Sequence, residues 1–133
     1  PNSWTVYYQT FRIIVELLLL YTFYKGIIPE QATFEGLNFD IVMGIAAPFM
    51  AYFVFGDNVK NLALAKAWNI LGILMVLFVA VIIGTTYYLP HLWGSETALT
   101  QPEFLTMPYL LIAGFLAPSA IFMHVVSLIQ LRK

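Results

Sequence analysis

Three ionisable side chains interrupt stretches that are otherwise almost wholly apolar: Arg12, Glu16 and His124. A charged group at the centre of a membrane helix costs about 2.5–3.5 kcal/mol on insertion scales, so such residues are functional candidates by default. Arg12 and Glu16 stand four apart, which puts them on one helix face and predicts a pair between them. Gln9 shares that stripe. On a second stretch, His124 and Ser127 are spaced by three. A carboxylate can accept a proton, an imidazole titrates near neutrality, and a guanidinium holds anionic groups. The set therefore suits proton handling or the anchoring of a ligand's polar end. A structural role competes with both: a buried ion pair and an imidazole fix helix register without chemistry, and Arg12 could snorkel to an interface.

Other chemistries find little footing. The absence of cysteine removes thiol nucleophiles, disulfides and Cys-ligated metals. There is no HExxH, P-loop or dinucleotide fingerprint. Glu30, Glu35 and Asp40 offer oxygen ligands, but their spacing matches no cation-loop template. His91 with Glu96 or Glu103 falls short of the three or four ligands that zinc wants. Ser95, Ser119 and Ser127 have no neighbouring base in the sequence. No catalytic residue, metal or cofactor is expected, and the balance leans away from an enzyme. A net charge of −1 with scattered basic residues gives no nucleic-acid footprint.

The elements that must position these groups follow from composition. Of the 133 residues, 61% are apolar and 10% charged, against about 45–50% and 25% in soluble domains. That is too little charge to wet a globule. A membrane helix needs about 20 mostly apolar residues, and four stretches qualify: about 4–24, 39–55, 67–88 and 107–131. The expected fold is a single all-α domain, residues 1–133: a compact bundle of four antiparallel transmembrane helices. The first span lacks the basic n-region and small-residue cleavage site of a signal peptide.

Lys60 and Lys66 in the second connection and Arg132 and Lys133 at the C-terminal end outnumber Lys25 in the first connection. The positive-inside rule then places both termini in the cytoplasm, and four crossings require them on one side, in agreement. Trp4, Trp68 and Trp93, with Tyr7, Tyr8, Tyr24, Tyr87, Tyr88 and Tyr109, fall near span ends, where amphipathic rings settle. The first connection, Lys25 to Asn38, carries Ile27, Ile28, Phe34 and Leu37 and is expected to fold back on the bundle or lie in the interface. Asn38 reads as an N-cap, with Asp40 in the first turn facing the helix dipole. The third connection, with Pro90, Gly94, Pro102 and Pro108, reads as irregular, with one short turn near Glu103.

At about 1.5 Å per residue, Arg12 lies about 12 Å deep, Glu16 about 18 Å, His124 about 10 Å and Asn69 about 4 Å. Arg12, Glu16 and His124 are thus expected to form one interior network, with Asn69 and Ser127 at its lower edge. A second pattern, Gly-x-x-Ala-Pro, occurs at Gly44–Pro48 and Gly114–Pro118. It would suit two related hairpins; coincidence is the simpler reading, since the other two spans show no echo. The local effect is firmer: small residues permit close helix approach and each proline frees a carbonyl.

The run Thr33-Phe34-Glu35-Gly36-Leu37-Asn38-Phe39-Asp40-Ile41, followed by Gly44 and Ala47-Pro48, resembles a segment of uncharacterised bacterial polytopic membrane proteins. The stretch Phe11–Leu17, the Trp68-Asn69 pair and the His124 region are similar to the same group. The resemblance implies a bacterial inner-membrane setting and an ordered outer loop around Glu35, Asn38 and Asp40. It supplies no activity, ligand or cofactor. The leading expectation is a helper subunit, or a module binding lipid or a small hydrophobic ligand. Its partners would be membrane lipid and another membrane protein or a second copy, with the charge-free third span as the contact. The alternative is a proton-coupled transporter or channel subunit using Glu16 and His124. An intramembrane enzyme ranks last.

Overall fold

The computed structural model describes residues 3–56 and 58–132. Asp57 and Lys133, counted in the charge tally, lie outside the described residues. The chain forms four helices and no strand among the described residues. Two of the four, Leu62–Tyr88 and Ile112–Gln130, are long and apolar enough to cross a membrane.

The first helix consists of α1 (Ser3–Tyr8), a 3-10 turn (Gln9–Phe11) and α2 (Arg12–Tyr24), joined through right-handed helical backbone at Tyr8 and Arg12. The second is α3 (Asp40–Met50), which holds Pro48 internally and passes into a π turn at Ala51–Phe55. The third, α4 (Leu62–Tyr88), starts five residues earlier than the apolar run suggests. Asn61 explains this: its side chain accepts a hydrogen bond from Leu64 N at 2.9 Å, so the helix is capped ahead of Lys66, which lies exposed on its surface. The fourth helix opens on a π turn (Ile112–Leu116) and continues as α5 (Ala117–Gln130).

Two apolar clusters sit at opposite ends of the bundle. One joins Val6, Met43, Ala47, Ala51, Phe55, Ala65, Trp68 and Leu131. The other joins Leu19, Ile28, Ala32, Ile82, Phe104 and Ile112. Val6 shares one cluster with Leu131 and Leu19 shares the other with Ile112, so the first and fourth helices run antiparallel. Trp68 belongs to the core, 8% exposed, instead of marking a span end. The early start of α4 leaves it nearly two turns inside the helix, at about 3.6 residues per turn.

Both long connections fold onto the bundle. Ile28, Ala32, Thr33 and Asn38 are buried, and Gln101 N donates to Ile27 O at 2.7 Å, tying the two connections together. Gly36 is required there: a Cβ would stand 2.4 Å from Glu30 O. The third connection has 3-10 turns at Pro90–Trp93 and Pro102–Leu105. Phe104 is buried in the second of the two clusters, and Thr86 Oγ1 meets Thr100 Oγ1 at 2.7 Å.

Polarity is distributed inside out. Gln9, Arg12, Glu16, Asn69, His124 and Ser127 are each 1% exposed, while Ile14, Leu17, Tyr21, Phe49, Leu74, Phe78 and Phe122 face outward.

Candidate functional site

The polar side chains form one layer between the two apolar clusters. Arg12, opening α2, donates from Nε to Asp40 Oδ2 at 2.7 Å and from Nη2 to Asp40 Oδ1. This two-pronged pair matches the guanidinium fork to the carboxylate. It is the only ion pair among the described residues. The expected Arg12–Glu16 pair does not form. Helical spacing allows the pair, but the folded-back first connection brings Asp40 to the guanidinium and Asn38 to Glu16. Asn38 Nδ2 donates to both Glu16 oxygens, at 3.0 and 2.8 Å, and to Ala32 O at 3.1 Å.

Asn38 also turns the chain into α3. Its Oδ1 accepts from Asp40 N at 2.9 Å. The N-cap position itself is Phe39, without a side-chain cap bond, so Asn38 serves one residue earlier than expected. Asp40 occupies the first turn as anticipated, but its carboxylate is spent on Arg12. Glu35 is exposed and stands apart from the layer. The outer-loop trio therefore divides: Asn38 and Asp40 go inward and Glu35 does not.

The remaining Arg12 bonds reach the other two helices. Nη2 donates to Gly72 O at 3.2 Å, and Nη1 lies 2.9 Å from His124 Nε2. On the far side of the ring, Nδ1 lies 2.9 Å from Asn69 Oδ1. Asn69 Nδ2 is already committed to Ala65 O and Ser127 Oγ, each at 2.9 Å. One assignment satisfies all of these bonds: Nδ1 carries a proton donated to Asn69, and Nε2 accepts from Arg12, which has only donors to offer. The expected association of Arg12, His124, Asn69 and Ser127 is thus present. Asn69 lies deeper than expected because α4 starts at Leu62.

Gln9 donates to Ala120 O at 3.1 Å, and its buried Oε1 has no partner. Tyr8 OH donates to Ser119 Oγ at 3.2 Å. Gly72 escaped sequence reasoning, although it lies three residues from Asn69 and so on the same face. A Cβ there would stand 2.1 Å from His124 Nε2.

A cleft of about 240 Å³ adjoins the layer. Its walls are apolar: Val15 and Leu19 of α2, Val76, Val79, Ala80 and Ile83 of α4, and Ile112, Ala113 and Leu116 from the π turn before α5. Phe104 and Thr100 of the third connection line it further out, and Arg12, Glu16 and Asp40 line its polar end. Ala80, Tyr88, Leu105 and Ala113 are exposed lining residues, so the cleft opens sideways between α4 and the fourth helix. π turns inside helices recur at functional sites.

No protein-family model, curated protein or solved structure matches this chain. The described residues contain no group of three or more His, Cys, Asp or Glu side chains able to hold a metal ion. Neither half-buried Ser119 nor buried Ser127 meets a base: Ser119 bonds to Tyr8 and Leu116 O, and Ser127 to Asn69.

Proposed function

We propose that the chain is a small multi-pass membrane protein that binds one amphiphile. The ligand's polar end would lie at Arg12, Asp40 and Glu16, and its hydrocarbon in the cleft. The observation that carries this reading is the cleft itself: a side-opening apolar passage that ends on three buried ionisable side chains. Hydrocarbon gains by leaving water or by filling an apolar void, while a few convergent polar groups fix its orientation. The reading includes four membrane-spanning helices in a bacterial inner membrane, with both termini cytoplasmic. Outward-facing apolar side chains on all four helices support it, since a soluble monomer rarely exposes such continuous apolar surface. The outer face of α4, with Leu71, Leu74 and Phe78 exposed, would meet lipid, a partner subunit or a second copy.

The test is saturable binding of a fluorescent alkyl probe to the protein in lipid nanodiscs. Ala113→Trp should fill the mouth and abolish saturable binding while the unfolding midpoint stays near wild type. Undiminished binding by this variant would place the probe elsewhere and defeat the reading.

A second reading, a proton-coupled transporter or channel subunit, draws on the continuous chain from Glu16 through Asn38, Asp40 and Arg12 to His124. The same chain argues for ranking it second. Arg12 is effectively always protonated and donates toward His124, so it interrupts any relay between the two titratable ends. Loss of pH-dependent flux in Glu16→Gln proteoliposomes would reverse that ranking.

A further inference from the structure

Resting on the amphiphile reading, we infer that the cleft selects an alkyl chain ending in a cationic hydrogen-bond donor, such as a primary ammonium, over a neutral or anionic head. The argument is charge and bond counting at the polar end. Two carboxyl groups, Glu16 and Asp40, line it, and one guanidinium serves them. Arg12 is committed to Asp40, Gly72 O and His124. Lys25, Lys60, Lys66 and Arg132, the other described cations, are exposed. His124 offers Nε2 to Arg12 and its proton to Asn69, so it brings no donor to Glu16. Both Glu16 oxygens share a single donor group, the Asn38 amide, although a carboxylate can take about four hydrogen bonds. The polar end is thus rich in oxygen acceptors and poor in donors, with two carboxyl groups to one guanidinium.

An anionic head would bring only acceptors to a place where donors are already scarce, and in low dielectric it would compete with Asp40 for Arg12. A hydroxyl head could donate one bond but bring no charge. An ammonium brings three donors and a charge that attracts carboxyl oxygens. Size fits a single chain. A cavity of about 150 Å³ holds benzene, so by proportion this one takes roughly ten heavy atoms, and a longer chain would leave through the side where the exposed Ala80 and Ala113 line the cleft.

The test compares dodecylamine, dodecanol and dodecanoate on wild-type protein in nanodiscs of neutral lipid, with Ala113→Trp as the control for cleft-independent uptake. Dodecylamine should bind at least tenfold more tightly than dodecanol, and dodecanoate least. In Glu16→Gln the preference of amine over alcohol should fall severalfold. Because the wild-type ranking decides the matter alone, a Glu16→Gln protein that fails to fold leaves the test intact. A lysophosphatidylethanolamine arm separates the two sources of an ammonium: tight binding assigns a lipid headgroup, weak binding a simple amine. Equal binding of amine and alcohol, or tighter binding of dodecanoate, overturns the head-group selectivity while leaving the amphiphile reading standing. No cleft-dependent binding by any of the probes defeats the amphiphile reading itself.

Discussion

Gly72 and His124 occupy each other's space: a Cβ on the glycine would come within 2.1 Å of Nε2 and 2.3 Å of Cε1 of the imidazole. The ring rests directly on the α4 backbone, while Gly72 O accepts from the guanidinium that also contacts the ring. One missing side chain thus lets α4, α5 and α2 meet at a single point.

Gly72→Ala should therefore destabilise the protein although alanine favours helix. Forcing a methyl into a filled site costs about 1–3 kcal/mol. His124→Ala empties that site, so the double variant should lose less than the sum of the singles. Unfolding midpoints of the four proteins in one micelle would measure this coupling, and simple additivity would count against the contact.

Asp40→Asn keeps the shape of the side chain but removes the counter-charge of Arg12. Removing one partner of a buried ion pair costs about 3–5 kcal/mol. Glu16→Gln leaves the Arg12–Asp40 pair whole and should cost distinctly less. An unfolding series in which Glu16→Gln is the worse of the two would restore the Arg12–Glu16 pairing that the sequence suggested.

How far the sequence reached depended on the range of the interaction. Apolar run length located four helices, and depth counting put Arg12 and His124 at matched levels, with Asn69 and Ser127 at the lower edge of their network. Partner choice was beyond it. The i,i+4 spacing of Arg12 and Glu16 is a local signal, and it loses to Asp40 once the first connection folds inward. That folding was partly legible in the apolar residues of the connection. The particular knot was not: it depends on Gly36 passing beside Glu30 O and on Asn38 reaching Ala32 O. The start of α4 was misplaced because Lys66 reads as loop, whereas Asn61 caps the helix one turn earlier. The cleft had no sequence signal, since a void is defined by what four distant segments fail to fill.

Asn69→Leu removes the acceptor for the His124 Nδ1 proton and the donor to Ser127 at once. Leaving a buried donor unmet costs about 1–3 kcal/mol. Ser127→Ala should cost less, because Asn69 Nδ2 still donates to Ala65 O. The same bond pattern fixes the ring tautomer. Nitrogen-15 NMR of the wild type should report a protonated Nδ1 and an accepting Nε2 in His124, and the opposite tautomer would break the chain as described.

The two Gly-x-x-Ala-Pro segments give the last test, because their glycines differ in surroundings. Beside Gly44, an added Cβ would stand 2.9 Å from Ile13 Cγ1, 3.0 Å from Ile13 N and 3.3 Å from Arg12 Cβ. Here α3 presses against the helix turn that aims Arg12 at Asp40. Beside Gly114 the nearest atoms belong to Leu110, four residues earlier in the chain, at 3.9 Å. Gly44→Ala must push α3 away and stretch the ion pair, so a loss of about 1–3 kcal/mol is expected from overpacking. Gly114→Ala meets no obstruction and should be neutral, or stabilising by up to about 1 kcal/mol through reduced chain entropy. Both proteins, unfolded in parallel with cleft binding measured on each, should separate by sign. Equal losses would make the two segments equivalent in packing and revive a repeated hairpin. The expected split instead marks Gly44 as the residue that brings α3 close enough for Asp40 to reach Arg12.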